Sequence, residues 1–389
     1  MRAQEQQRIL KILQQGLATH TSADAGEMLQ VPMEGYTDPE QLALEQTVFF
    51  KQTPLMLGLS SDLPGINTYV ATNETGVPIL MTRDASGCFR AFLNICRHRG
   101  MQVVATGRGE GRQFSCPFHA WTYQNTGDLI AVTHKDKFGS LDHRDFGLTE
   151  LPSAEVAGTL WVQSSVGEPL DPSELLGPLA DEFMHWGLAQ HPFRETQVIE
   201  ADLNWKLAID TFGENYHFNV LHRTSLATDI IGNLQTHDIF DRHYRMVFAS
   251  KAGFEHVLAE AIPVENWPYR QLTLNVYFLF PNVIFLVDPA GIDVLRMYPA
   301  GNAPGRSRTH HSYYPQPDLA EMITESRFPG FNKIIVEEDY WAATSIQRNA
   351  DAGVQTHGLF GRNEPALHHY HRVHRDALGL PALTILSPN

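Results

Sequence analysis

Two pairs of soft metal ligands stand out in the 389-residue sequence. Cys96-Arg97-His98 is followed, seventeen residues later, by Cys116-Pro117-Phe118-His119. Each pair is short enough for one tight loop to aim a thiolate and an imidazole at a common point. Two thiolates and two imidazoles suit a tetrahedral zinc ion. They also suit a [2Fe–2S] cluster in which two cysteines hold one iron and two histidines the other. The plainest alternative is coincidence, and the paired spacing speaks against it. Cys88 stands outside both pairs and reads as a small buried residue rather than a ligand.

A second constellation runs from Asp210 through Thr211-Phe212-Gly213-Glu214-Asn215-Tyr216 to His217, with His222 beyond it. On an ideal helix Asp210, Glu214 and His217 share one face. His222 lies about 140° further round, so it converges with His217 only if the chain bends near Leu221–Arg223. Two neutral imidazoles and one carboxylate form the facial triad of mononuclear Fe(II) oxygen chemistry, which leaves positions open for O2 and substrate. Read alone, the segment is equally an amphipathic helix bearing histidines. Glu214 is the nearest acid.

The stretches Asn94-Ile95-Cys96-Arg97-His98-Arg99-Gly100 and Cys116-Pro117-Phe118-His119-Ala120-Trp121-Thr122-Tyr123 resemble the two cluster loops of the Rieske non-haem iron oxygenases, which include the large (alpha) subunits of aromatic ring-hydroxylating oxygenases. The resemblance covers most of the chain. It implies an α+β protein, in which an all-β Rieske [2Fe–2S] domain accompanies a helix-grip (START-like) catalytic domain with an antiparallel sheet. It implies Cys96, His98, Cys116 and His119 as cluster ligands, and His217, His222 and a late Asp as ligands of a mononuclear Fe(II). Val336-Glu337-Glu338-Asp339-Tyr340-Trp341, ahead of Gln347, supplies that residue as Asp339, with Glu338 as the other choice.

Within this family the acid three residues before the first histidine couples the two metal sites, through a hydrogen bond to a cluster histidine of the neighbouring subunit. The resemblance gives that role to Glu214, with Asp210 as a second acid on the route. The usual residue is Asp. Glu makes a longer bridge, as in some members that oxidise alkylammonium substrates. The resemblance further implies electrons from NAD(P)H through a separate reductase, with or without a ferredoxin. It implies a head-to-tail homotrimer, with or without a small beta subunit. The product would be a dihydrodiol, a hydroxylated compound or a demethylated one. Two readings of another kind, an electron-transfer Rieske protein and a zinc-stabilised ligand-binding protein, require no second metal.

The elements that must position these residues fall into two textures. Residues 1–46 read as helical, with Ile9, Leu10, Ile12, Leu13 and Leu17 at helical spacing and turns around Gly35 and Pro39. From residue 47 to 163, short β-branched and aromatic runs alternate with turn signals, which predicts a small all-β domain. Those runs include Val48-Phe49-Phe50, Thr68-Tyr69-Val70, Ile79-Leu80-Met81 and Leu160-Trp161-Val162. Residues 164–389 join 1–46 in a mixed catalytic domain. Helices are expected over 173–190, 204–222, 334–350 and 364–378, and two or three strands over 272–298. Tyr277, Phe278, Phe280, Phe285 and Trp267 read as core residues that could otherwise line an apolar pocket.

Composition narrows the partners. The net charge of −15 argues against a nucleic-acid or anionic-membrane binder. Three cysteines cannot build a secreted disulfide framework, whereas nineteen histidines favour metal binding. With no apolar leader and no apolar run long enough to span a bilayer, the expectation is a cytoplasmic enzyme. The stretch from Arg83 to Arg112 departs from the acidic average, with six arginines against Asp84 and Glu110. It reads either as a docking face for an acidic electron carrier or as solvated loop arginines.

Overall fold

The computed structural model describes residues 1–386, and the chain divides into two compact units. One comprises Thr47–Leu176 with Gly187–Gln190 and is almost wholly β. The other comprises Met1–Gln46, Gly177–Trp186 and the chain from His191 onward. Among the described residues no helix is long and apolar enough to cross a membrane.

The β unit contains three antiparallel sheets. A five-stranded sheet runs in the order Glu150–Leu151, Phe89–Leu93, Ile79–Arg83, Thr68–Thr72 and Gly107–Glu110. Ser153–Val156, Thr159–Gln163 and Pro54–Leu59 form a second sheet, and Gln113–Ser115, Thr122–Gln124 and Leu129–Ala131 a third. Ala71, Leu80, Phe92, Phe114, Trp121 and Tyr123 close around the buried Cys96 and Cys116 in one apolar cluster. Two local expectations are corrected. Val48–Gln52 is a π-helical turn continuing the helix Pro39–Thr47, not a strand. Cys88 is exposed rather than buried, because it closes a hairpin turn in which its N–H donates to Asp84 Oδ1 at 3.0 Å.

The larger unit is built on a seven-stranded antiparallel sheet. Edge to edge it runs Glu195–Ala201, Ser307–Pro315, Gly291–Pro299, Val283–Val287, Thr273–Leu279, His243–Ser250 and Ile230–Phe240. Six consecutive strands form a meander, and the first strand adds at its far edge. Thr273–Leu279 and Val283–Val287 read as continuous apolar runs because both faces of the sheet are covered. On one face the C-terminal helix Pro365–Leu378 seats Tyr370 and His374 against Phe278. The N-terminal helix Ala3–Thr19 buries Ile9, Leu10 and Leu13 but leaves Ile12 exposed. Met28–Pro32, within the segment expected to be helical, is a strand paired with His357–Phe360 and Thr384–Leu386.

Candidate active site and metal centres

In the β unit the two ligand loops have the same construction. The N–H of Cys96 donates to Met101 O and that of Gly100 returns to Cys96 O, at 2.8 and 2.9 Å. The N–H of Cys116 donates to Trp121 O and that of Ala120 returns to Cys116 O, again at 2.8 and 2.9 Å. Both loops reverse through a positive φ four residues after the cysteine. It is +76° at Gly100, where glycine relieves the strain, and +56° at Ala120, where a small side chain tolerates it. Each loop therefore holds its cysteine at the same place in the turn, with the histidine two residues on in the first loop and three in the second.

The donor set fits a [2Fe–2S] cluster. Cys96 and Cys116 are buried free thiols, and neither is tied up in a disulfide. His98 Nδ1 and His119 Nδ1 are buried and have no hydrogen-bond partner, which is costly for polar atoms unless another group uses them. The two rings lie 4.7 Å apart, with His98 stacked on Trp121 at 5.1 Å. Burial, then the proximity of His119, lowers the pKa of His98 and keeps a neutral, ligand-competent imidazole. Tyr123 OH lies 3.4 Å from Cys96 Sγ and accepts the N–H of Arg97 at 3.0 Å. With its oxygen accepting from Arg97, its hydroxyl hydrogen is free to point at the sulfur.

The arginine-rich stretch is less basic in space than in sequence. Arg83 pairs with Glu155, Arg90 with Asp84 and Glu150, and Arg108 with Asp62. Three of these acids lie outside the stretch that suggested a basic face. Arg97, Arg99 and Arg112 remain exposed, with Arg99 stacked over the exposed Phe118 at 5.2 Å.

In the larger unit, His217, His222 and Asp339 each offer one ligand atom, and these atoms lie within 4.8 Å of one another. His222 Nε2 is 3.2 Å and His217 Nε2 3.5 Å from Asp339 Oδ1. His217 Nε2 is buried without a hydrogen-bond partner. The opposite nitrogen of each ring is held by a carboxylate. His217 Nδ1 bonds Glu214, and His222 Nδ1 bonds Glu338 Oε2 at 2.6 Å. Ser225 Oγ donates to the same Glu338 oxygen at 2.7 Å. Carboxylates on the outer nitrogens leave both inner nitrogens free for a metal, the usual arrangement around a ligating histidine. Burial alone would lower the pKa of His217, but Asp339 and Glu214 outweigh it and push it up to about 9. A cation in the centre would replace that proton.

The local structure differs from the expected helix. It spans only Trp205–Asp210, and residues 211–225 are turns and bends ahead of a short 3-10 helix, Leu226–Thr228. Leu367 packs so closely on Gly213 that a Cβ there would lie 2.2 Å from Leu367 Cδ2, and the glycine this contact requires is itself a poor helix former. Asn215 instead donates to the carbonyls of Ile231 and Leu234 at 3.2 and 3.0 Å and pins the turn. Glu214 folds back on the N–H groups of Tyr216 and His217, so Asp210, Glu214 and His217 do not stack on one helix face. Asp210 bonds Tyr36 OH at 2.7 Å and His371 Nε2 at 2.8 Å. Asp339 ends a π-helical turn, Ile335–Asp339, between the helices Phe328–Ile334 and Tyr340–Asp351. Widened turns of this kind frequently sit at functional sites; here Asp339 faces His222 while the preceding Glu338 reaches the far side of the same ring.

A cavity of about 370 Å³ adjoins this centre, lined by His222 and Asp339 and by Phe218, Phe248 and Phe331 among others. Val276 and Leu286, paired across neighbouring strands, line it, whereas Tyr277 and Phe285, one residue away on each strand, face the other side of the sheet. Strand alternation turns Tyr277 and Phe285 away from the cavity, and Phe278, Phe280 and Trp267 are likewise buried without lining it.

The family model described as Rieske [2Fe-2S] domain matches residues 53–152, and that described as ring hydroxylating alpha subunit (catalytic domain) matches residues 190–380. The chain is 27% identical over 336 residues to the carnitine monooxygenase oxygenase subunit of Acinetobacter baumannii, covering 85% of this chain and 86% of that one. It is 29% identical over 192 residues to the glycine betaine monooxygenase oxygenase subunit of Chromohalobacter salexigens, a match spanning 49% of this chain and only 43% of that relative. With the anthranilate 1,2-dioxygenase large subunit of Acinetobacter baylyi it shares 26% identity over 51% of this chain and 44% of the relative. In fold it is similar to the quaternary ammonium Rieske monooxygenase CntA in complex with L-carnitine, with a TM-score of 0.74 at 19% identity over 91% of this chain and 96% of that one. A naphthalene 1,2-dioxygenase from Rhodococcus sp. gives 0.72 at 19% identity over 96% and 98%. With both family models matched along the chain, it belongs to the Rieske non-haem iron oxygenases, as a large (alpha) subunit.

Proposed function

We propose that this protein is the terminal oxygenase of a multicomponent system that uses O2 and reductase-derived electrons to hydroxylate an organic substrate held in the cavity beside His217, His222 and Asp339. The observation that carries the reading is the convergence of two imidazole nitrogens and one carboxylate within 4.8 Å, in a chain that also carries the paired cysteine and histidine loops. Cys96, His98, Cys116 and His119 would hold the cluster, and His217, His222 and Asp339 the iron. With both groups bound, the cluster supplies electrons one at a time and the mononuclear iron supplies the activation of O2.

The remaining work belongs to side chains. Glu214 keeps the proton of His217 on Nδ1, and Glu338, steadied by Ser225, does the same for His222. Both rings thus turn Nε2 inward in the tautomer a metal requires. Tyr123 places its hydroxyl against Cys96 Sγ, where it stabilises added negative charge. Phe218, Phe248 and Phe331 give the cavity an apolar wall that excludes water and accepts a hydrocarbon body. Asp210 fixes the end of its helix through Tyr36 and His371.

The same reading has a reductase as partner, directly or through a ferredoxin, and a head-to-tail homotrimer in which Glu214 couples to a cluster histidine of the neighbouring subunit. Tyr216 and Val220, 61% and 83% exposed beside His217, support a face that is covered in an assembly. The substrate is an aromatic or other apolar organic compound. Glu214 in place of Asp, together with the similarity to carnitine and glycine betaine monooxygenase subunits, favours alkylammonium oxidation or demethylation as a second reading. A substrate screen with a surrogate reductase, scored by product mass, tests the proposal. Incorporation of oxygen supports it, and NAD(P)H-driven cluster reduction without any oxygenated product across both substrate classes contradicts it.

A further inference from the structure

The cavity wall that carries Asp288 and Asp293 is short of positive charge. Arg327 is the one lysine or arginine among the lining residues, and it pairs with both acids, at 2.9 Å from Asp288 Oδ2 and 3.1 Å from Asp293 Oδ2. Two carboxylates against one guanidinium leave one negative charge uncompensated, in a wall where Asp293 is 1% exposed. A buried charge is costly unless it is paired. Behind this wall, outside the cavity lining, His311 is fully buried, and its Nε2 lies 2.8 Å from Asp293 Oδ1. Its Nδ1 lies 2.5 Å from Asn332 Oδ1.

Both ring nitrogens of His311 therefore face oxygen. Asn332 Nδ2 donates to Gln197 Oε1, which turns the amide oxygen, an acceptor only, toward the ring. Asp293 is a carboxylate beside a guanidinium, and an ionised carboxylate only accepts. A neutral imidazole has one N–H, so it could satisfy one of these oxygens while setting a lone pair against the other. An imidazolium donates to both. Its second proton also supplies the positive charge that Asp288 and Asp293 lack. The other groups around the ring leave this balance in place. Glu195, two residues before Gln197 on the edge strand and so on the same face, is a further acid that favours the proton. Tyr313, two residues on along the ring's own strand, spends its hydroxyl on Ala290 O at 3.1 Å. Lys333 on the facing helix is exposed and pairs with Glu337.

From this we infer that His311 is held as an imidazolium and acts as a positioning residue for the oxygenase centre, through the helix that its Nδ1 grips. That helix, Phe328–Ile334, is tied to the sheet at its start by Arg327 and again at Asn332. Its Phe331 and Ile334 line the cavity, and the chain runs on without a break through the π-helical turn to Asp339. The rings of Phe328 and Phe331 pack on His311 at 4.5 and 5.4 Å. Loss of one ring proton turns a bond into a repulsion between two acceptors. Rising pH therefore loosens the helix, the cavity wall and the approach to Asp339 together, and falling pH tightens them. The link to the iron rests on the oxygenase reading; the protonation of His311 and its grip on the helix do not.

The test uses the iron-replete holoenzyme, with iron content and cluster absorbance recorded on every sample. It reads hydrogen–deuterium exchange of peptides covering residues 328–339, corrected for the intrinsic pH dependence of exchange. In the unaltered protein, protection there should fall about 10- to 100-fold between about pH 6 and about pH 9, the scale of one hydrogen bond to a charged group. His311→Gln cannot titrate and should show low protection that no longer changes with pH. Asn332→Asp gives the ring a second anion and should move the loss to higher pH, by about one unit or more; the exposed Gln197 can turn its amide to serve the new carboxylate. On the same samples, Fe(II) release to a chelator should be faster from H311Q than from the unaltered protein, and the ratio should shrink as pH rises. Proton competition at His217 and His222 acts on both proteins alike and cancels in that ratio. Protection that is flat with pH in the unaltered protein overturns the inference, as does an H311Q protein that keeps the pH dependence, or an N332D protein in which the loss does not move up. A release ratio that does not shrink overturns the positioning role. Should H311Q fail to fold, the unaltered protein and N332D decide. A sample lacking the mononuclear iron counts against the oxygenase reading instead, while its exchange still decides the protonation of His311.

Discussion

Replacing Glu338 by Ala isolates the supporting layer of the iron site. A metal on His222 uses the lone pair of Nε2, so the ring proton must sit on Nδ1. That N–H has Glu338 Oε2 as its acceptor at 2.6 Å, and His222 is 1% exposed, so water cannot readily replace the lost partner. A buried N–H without an acceptor costs about 1–3 kcal/mol. In the metal-free protein the ring avoids that cost by carrying its proton on Nε2, 3.2 Å from Asp339 Oδ1. The penalty therefore falls on the metal-bound state, and Fe(II) affinity should drop by about 5- to 150-fold, bracketing the usual effect of deleting a carboxylate behind a ligating histidine. Glu338→Gln keeps an oxygen that can accept the N–H and should recover most of the affinity. The assay is anaerobic removal of the mononuclear iron, then Fe(II) titration against a competing chelator, with cluster absorbance as internal reference. Unchanged affinity in E338A would refute the positioning role. Loss as complete as in Asp339→Ala would refute it in the other direction, by making Glu338 a ligand.

Three further outcomes follow from named contacts. Glu214→Gln should keep both metals and lower turnover by about 10- to 100-fold; full activity in that variant would remove the coupling role. Tyr123→Phe removes the hydroxyl 3.4 Å from Cys96 Sγ and should lower the cluster's reduction potential with the iron retained; an unchanged or higher potential in protein-film voltammetry would contradict this. Burial lowers His374 to about 3 and His237 to about 4, from an ordinary 6.5. For His374, contacts to the carbonyls of Tyr370 and Pro281 only partly offset burial. Below pH 6.5 the unfolded chain takes up these protons and the folded chain does not, so stability falls as pH drops from about 6.5 toward 4, by about 1.4 kcal/mol per unit for each ring. A melting temperature independent of pH between 6.5 and 5 would count against that burial.

The paired cysteine and histidine loops were legible because each pair is local, so spacing alone puts a thiol and an imidazole in one loop. His217 and His222 were legible for the same reason. The early end of their helix at Asp210 was not, because the contacts that hold the following turns, such as Asn215 with the carbonyls of Ile231 and Leu234, lie outside the local pattern. Asp339 came from the resemblance, since no local pattern links it to His222; the π-helical turn that separates its direction from that of Glu338 has no signature in one sequence. Tyr277, Phe278, Phe280, Phe285 and Trp267 read as core and are core, but the true cavity wall was not legible: the apolar runs left open which face of each strand was which, and the pairing of Val276 with Leu286 against Tyr277 with Phe285 decides it. The arginine-rich stretch seemed more basic than it is because Asp62, Glu150 and Glu155, which neutralise it, lie elsewhere in the chain.

Every role proposed above requires two separate metal centres in one chain. The direct measurement is iron and acid-labile sulfide per chain on the purified protein and on Asp339→Ala, alongside the visible spectrum. The unaltered protein should be red-brown with about three irons, two of them in the cluster, and D339A should lose one iron while its spectrum and sulfide stay the same. A colourless, zinc-containing protein, or a D339A variant with undiminished iron, would contradict the account.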